Sequence, residues 1–201
     1  SGGTLDNDDE LINYGTLTNK AGGTLYNTGN LHNRWVGTLN NYGILDSTNV
    51  GRQDTILTND GTLNNYGTLN NDATLDNYDK FTNSGTLTNE AGGKLDNMGR
   101  GTLTNSGTLN NDGTLDNKSG GTLNNDGMLD NDGILINQGT LKNEGTLLNY
   151  GTITGSGEII GDITNNGTIS PGNSAGGHLF TGNFYHLDDC IKKIELAGLH
   201  D

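Results

Sequence analysis

The apolar residues of this chain fall at a spacing that neither a helix nor a long strand would use. Leucine recurs every six residues, as at Leu57, Leu63, Leu69 and Leu75 or at Leu103, Leu109 and Leu115, with an interval of eight at a few points such as Leu17 to Leu25. Phe81, Ile153 and Ile159 take the same phase. Between these positions the chain is polar, and the unit reads G-T-L-x-N-x, seen without interruption from Gly101 to Asp112. An amphipathic helix places apolar residues three and four apart, and a half-buried strand places them two apart. A period of six suits a short strand and a corner, repeated. Self-similarity of this kind along a chain predicts a solenoid.

Within one hexad, strand alternation points leucine inward and sends threonine and the following variable residue outward. The asparagine then turns back toward the interior at the corner, and glycine is expected to supply the backbone freedom for the bend. Coils stacked about 4.8 Å apart pile equivalent residues into columns, with each buried leucine worth roughly 1.5 to 3 kcal/mol. An asparagine amide both donates and accepts, so a column of them can bond to itself and to the corner backbone. Aspartate in the same column would meet its own charge.

The predicted fold is all-β, a single-stranded parallel β-helix with three hexads to a coil. That makes about 18 residues per coil, roughly nine coils and a rod of about 43 Å. Two hexads per coil would give a longer, thinner rod. Parallel crossovers favour a right-handed coil, although left-handed hexapeptide helices share the strict hexad. The extra residue pairs Ala21-Gly22, Trp35-Val36 and Ser119-Gly120 are expected to bulge at corners.

Residues 1–170 form the hexad-repeat solenoid, and residues 171–201 are expected to close or continue it. A weak coil is predicted at Ser47 to Asp54, where Gly51 takes a leucine position and Gln53 replaces the corner asparagine. Pro171 marks a long turn. His178 to Leu187 and Ile191 to Leu196 read as longer strands, with a short helix from Asp188 as the rival because Leu187, Ile191 and Ile194 also suit a helical face.

Only 29% of residues are hydrophobic and 34 are glycine, so the core must be thin, and the order lies in the repetition. The net charge of -14 disfavours nucleic acid and anionic lipid as partners. Cys190 stands alone, which leaves no intramolecular disulfide, and no stretch approaches the roughly 20 apolar residues of a membrane span. Ser1-Gly2-Gly3 begins inside the repeat with no charged or apolar leader, as expected of a mature or excised segment.

Few residues suggest chemistry. Asp76, Asp96 and Asp116 should align on one face, where calcium could bridge their carboxylates, although the glycine-rich calcium nonapeptide is missing and a solvated acidic face serves equally. The pairs Thr16/Thr18, Thr86/Thr88, Thr102/Thr104 and Thr152/Thr154 are expected on different faces, as are Tyr14, Tyr42, Tyr66, Tyr78 and Tyr150, where an exposed ring could stack on a sugar. Trp35 sits in an inserted corner near an outward His32 without partners that suggest catalysis. Ser174 lacks a histidine base, and His32, His178, His186 and His200 lack metal-site spacing. No cofactor is expected.

The G-T-L-x-N runs resemble those of bacterial autotransporter passenger domains and filamentous-haemagglutinin-like secreted adhesins. Gly167 to Gly176, reading G-T-I-S-P-G-N-S-A-G, is similar to a segment near the late coils of such passengers, and Ile194 to Leu199 to the strand that follows it. The resemblance implies a right-handed β-helix, export to the cell surface, and adhesion, aggregation or display of another domain. The expected function is therefore an extracellular structural or adhesive scaffold without catalysis, its partners a host or bacterial surface glycan or protein. The alternatives are a self-assembling fibre subunit, associating through its solenoid ends, and a polysaccharide-binding or polysaccharide-degrading β-helix. The degrading form is disfavoured because two-residue insertions cannot wall a cleft and only Arg34, Arg52 and Arg100 supply guanidinium.

Overall fold

The computed structural model describes residues 2–49, 55–170, 179–186 and 191–192. Those residues form short strands and corners, with no helix among them. The strands are three to five residues long over most of the chain, and they assemble into three parallel sheets of ten, ten and nine strands. The first sheet starts with Thr4–Asn7, the second with Glu10–Asn13 and the third with Thr16–Asn19. Each strand pairs with the third strand along the chain, so one coil contains three hexads. The chain is an all-β parallel solenoid.

Register is strict. Leu69 faces Leu87, which faces Leu109, and Asn71, Asn89 and Asn111 line up likewise. A coil without insertions takes 18 residues, as from Asn71 to Asn89, whereas one with an extra pair takes 20, as from Asn97 to Asn117, with pairing unchanged. The extra pairs are absorbed at the corners.

The interior is a stack of leucines with Phe81 and late isoleucines in phase, and from Leu31 to Leu141 every member of this core is 0% exposed. Around it run three asparagine ladders, one at the end of each sheet's strands. At the second sheet, Asn13, Asn33, Asn59, Asn77, Asn97 and Asn117 each donate Nδ2 to the next Oδ1 at 2.8 Å, ending on Asn137. The same amides reach backbone carbonyls of the following coil, as in Asn33 to Thr62 O at 2.8 Å. The buried amides are thereby satisfied without water. The first ladder breaks where Ser47 replaces asparagine: Asn27 reaches Ser47 Oγ at 3.2 Å, and Asn71 Oδ1 is left without a donor.

Two expectations require correction. Bending does not require most of the glycines, because the described glycines with positive φ are Gly22, Gly120, Gly155 and Gly161. The hexad glycine answers to close stacking: a Cβ on Gly127 would lie 2.1 Å from the Gly107 carbonyl oxygen in the coil before it. Of the weak coil expected at Ser47 to Asp54, the flanking strands Ile44–Thr48 and Ile56–Asn59 each pair on both sides, whereas residues 50–54, Gly51 and Gln53 among them, lie outside the described residues. Finally, the segment from His178 to Leu187 is not one long strand. Leu179–Thr181 joins the third sheet and Phe184–His186 the first, with a corner at Gly182 between them, and Ile191–Lys192 joins the second. The segment from Pro171 to His178, Ser174 included, and a helix from Asp188 fall outside the described residues apart from that strand.

Candidate binding surface

Placement at a corner follows from register. The residue after each ladder asparagine starts a turn, and where two residues are inserted the turn closes as a four-residue β-turn. Gly37 N–H donates to Arg34 O at 2.5 Å, Gly101 N–H to Met98 O at 2.6 Å, and Gly121 N–H to Lys118 O at 2.8 Å. All three turns lie at the corner between the second and third sheets. Their central residues are Trp35-Val36, Gly99-Arg100 and Ser119-Gly120, held away from the core. Gly120 adopts a φ of 82° there, the left-handed conformation expected at the third residue of a type II turn.

This corner carries the most exposed large apolar side chains among the described residues. Trp35 is 80% exposed, Val36 78% and Tyr14 65%. Tyr14, Arg34, Trp35 and Val36 line one depression, and Trp35, Asp60, Tyr78, Asp79, Met98 and Arg100 line an adjoining groove of about 720 Å³. Trp35 belongs to both, so they form one strip along the rod. The strip crosses five coils, four strand spacings or about 19 Å.

Its polar groups are mixed in sign. Arg34 Nη1 lies 3.6 Å from Asp60 Oδ2, while the buried Arg34 Nε has no acceptor among the described residues. Arg100 makes no ion pair among the described residues. Burial, and then the nearby carboxylates of Asp76, Asp60 and Asp96, push the Tyr78 phenol above its ordinary value, so its hydroxyl stays protonated and can both donate and accept.

The tyrosines are less scattered than expected. Tyr14 and Tyr78 share this second corner, whereas Tyr42 and Tyr66 share the corner after the third sheet and stack there, with ring centroids 4.7 Å apart and planes 13° off parallel. Tyr150 alone of the five follows a strand of the first sheet. Of the threonine pairs, Thr16/Thr18 and Thr102/Thr104 lie on the third sheet, Thr86/Thr88 on the first and Thr152/Thr154 on the second. His32 occupies an outward position of Asn30–Asn33, half-buried.

Asp76, Asp96 and Asp116 stand in one column on the outer face of the second sheet. Lys94, in the threonine position between Thr74 and Thr114, puts Nζ 2.5 Å from Asp96 Oδ2. Lys118 bonds Asp116 and comes within 3.9 Å of Asp96. The column therefore carries its own ammonium counter-charge, and a cation would have to compete with both lysines. Among the described residues no three His, Cys, Asp or Glu side chains converge as a metal site. Neither lysine was assigned to this column from sequence, although the 20-residue coil that places Lys94 beside Thr74 is countable.

The parallel β-solenoid, its acidic net charge and the aromatic strip at the second corner suit an adhesin-like extracellular scaffold. The chain belongs to the haemagglutinin repeat family, whose model matches residues 1–34, 36–99 and 98–170. Proteins of this family are typically secreted or surface-exposed and of a non-enzymatic adhesin type. No curated protein and no solved structure matches the chain. No helix among the described residues is long and apolar enough to cross a membrane.

Proposed function

We propose that this chain is the shaft of a surface-displayed adhesin, a passenger or stalk segment that binds through side-chain contacts and performs no catalysis. The observation that carries this is the strip at the second corner, where Tyr14, Trp35, Val36, Tyr78 and Met98 share one edge and where the three most exposed large apolar side chains among the described residues, Trp35, Val36 and Tyr14, stand together. Exposed contiguous apolar surface on a polar protein marks an interaction site. Aromatic residues and arginine are also the types that dominate binding hot spots. The continuous sheets hold these residues on a rigid support, so little conformational freedom is lost on contact.

Catalysis finds no support in the same strip. Asp60 is engaged by Arg34, and the strip is an open groove and not a cleft that could exclude water. The test is adhesion of the labelled chain to bacterial and epithelial surfaces. Saturable binding that falls at least tenfold when Trp35 and Tyr78 are both changed to alanine is expected. Binding by the double variant equal to the parent, or no binding by the parent, would overturn the proposal.

A further inference from the structure

We infer that the occupant of the second-corner groove is an uncharged polysaccharide lying along the rod, its sugar rings against Trp35 and Tyr78 and its hydroxyls between Arg100 and the carboxylates of Asp60 and Asp79. The inference rests on the adhesive proposal and names its partner class.

Three features select a sugar. A pyranose has one apolar face of C–H groups and a rim of hydroxyls, so it needs a flat aromatic platform beside groups that both donate and accept. The groove provides both: Trp35 and Tyr78 are the platforms, Arg100 offers donors only, and Asp60 and Asp79 offer acceptors only. Trp35 turns out after the second strand of its sheet and Tyr78 after the fourth, so the platforms stand two strand spacings apart, about 9.6 Å along the axis. That interval suits alternate rings of an extended β-linked chain, and the strip of five coils has the length of a short oligosaccharide.

Charge selects a neutral chain. With Asp60 paired to Arg34, the groove sets the single guanidinium of Arg100 against Asp79 and offers no excess of positive charge, while the whole protein carries -14. A uronic-acid polymer would meet the repulsion of that acidic surface with no cationic cluster to offset it. A protein partner is disfavoured for another reason: it would have to strip water from Asp60 and Asp79, and desolvating carboxylates is costly. A hydrated sugar leaves water bridging them.

Trp35 is the only tryptophan of the chain, which makes the test direct. Its fluorescence would be followed in the whole protein during titration with cellotetraose, chitotetraose and polygalacturonate, with binding measured in parallel by calorimetry for the variants. A saturable shift with one neutral tetrasaccharide is expected. The dissociation constant should rise at least tenfold in Tyr78→Ala and in Arg100→Ala and stay unchanged in Tyr150→Ala, which lies at another corner. These side chains are exposed at corners, so the variants retain the fold, checked by circular dichroism. Response to polygalacturonate alone would overturn the choice of an uncharged chain. An unmoved Trp35 with every glycan, while the labelled chain still adheres to cells, would overturn the sugar and leave the adhesive function standing. Loss of adhesion as well would remove both.

Discussion

Asn97 donates its amide to Asn117 Oδ1 at 2.8 Å and so joins two successive coils through their interiors. The same Nδ2 reaches the carbonyls of Gly101 at 3.1 Å and Thr122 at 2.9 Å, and Asn97 Oδ1 accepts from Asn77 at 2.8 Å. One side chain therefore binds the preceding coil, its own corner and the coil that follows. In a thin core the polar ladder shares the work of cohesion with the leucine stack.

Replacing Asn97 by alanine leaves Asn117 Oδ1 and the Thr122 carbonyl short of a donor in a buried setting. Unsatisfied buried groups cost about 1 to 3 kcal/mol each, so Asn97→Ala should lose on the order of 3 kcal/mol. Asn97→Asp should lose more, because a carboxylate there would face acceptor oxygens with no counter-ion. Thermal melts give the magnitude. Hydrogen exchange should locate the loss in adjoining coils, as nearest-neighbour cohesion requires; uniform loss over the whole rod would contradict this account.

The hexad glycines make a second prediction, opposite to one based on turn flexibility. Gly127 has no recorded positive φ, yet an added Cβ would sit 2.1 Å from a backbone oxygen. Gly127→Ala should force the coils apart and cost at least the 1 to 3 kcal/mol typical of overpacking. Ala73 shows that the cost depends on the corner: it occupies a glycine position, is buried, and its carbonyl still accepts from Lys94 N–H at 2.8 Å. Ala73→Gly should therefore give no gain in melting temperature, while Gly127→Ala should lower it by several degrees.

How much of this was written in the residues follows the same logic. Leucine at six and asparagine two places later determine inside and outside at nearly every position, because burial and amide pairing act locally and identically in each hexad. The column Asp76, Asp96 and Asp116 could be counted from register for the same reason. The binding strip could not be reached that way. Trp35 and Arg100 come from insertions that break the period, and Tyr78 from a regular corner, so each must be carried through all preceding insertions before the three fall on one corner. The glycines misled for a different reason, since steric contact with the next coil leaves no mark that distinguishes it from a turn requirement.

The aspartate column has a signed pH dependence. Burial, and then the neighbouring charge of Asp96, raise the Asp76 carboxyl above its ordinary 3.8, outweighing Lys94 and Lys118. The folded chain then holds a proton that the unfolded chain has released, over the interval from 3.8 up to the raised value. Stability must fall as pH rises through that interval and stay reduced above it. Asp76→Asn should remove this loss, raising the melting temperature at pH 7 and flattening its slope in mild acid. Lys94 has the same slope but the opposite contribution at neutral pH. Its hydrogen bond to Asp96 raises its value above 10.5, so its contribution is present at neutral pH and disappears as pH climbs past that raised value. Melting curves of the parent and of Lys94→Met across pH 3 to 11 should converge at the alkaline end.

The stack of Tyr42 on Tyr66 offers a test of how corners contribute apart from the core. The rings are about half exposed and lie on successive coils of one corner, 4.7 Å apart, with neither ring reaching the leucine interior. Such pairs are worth about 0.5 to 1.5 kcal/mol beyond buried area. A double-mutant cycle with Tyr42→Ala and Tyr66→Ala should return a coupling energy in that range, whereas Tyr42→Ala with Tyr150→Ala, at a different corner, should be additive. Zero coupling between Tyr42 and Tyr66 would mean that the outer corners add nothing to cohesion between coils. It would leave the asparagine ladders and the leucine stack as the forces that hold the rod in register.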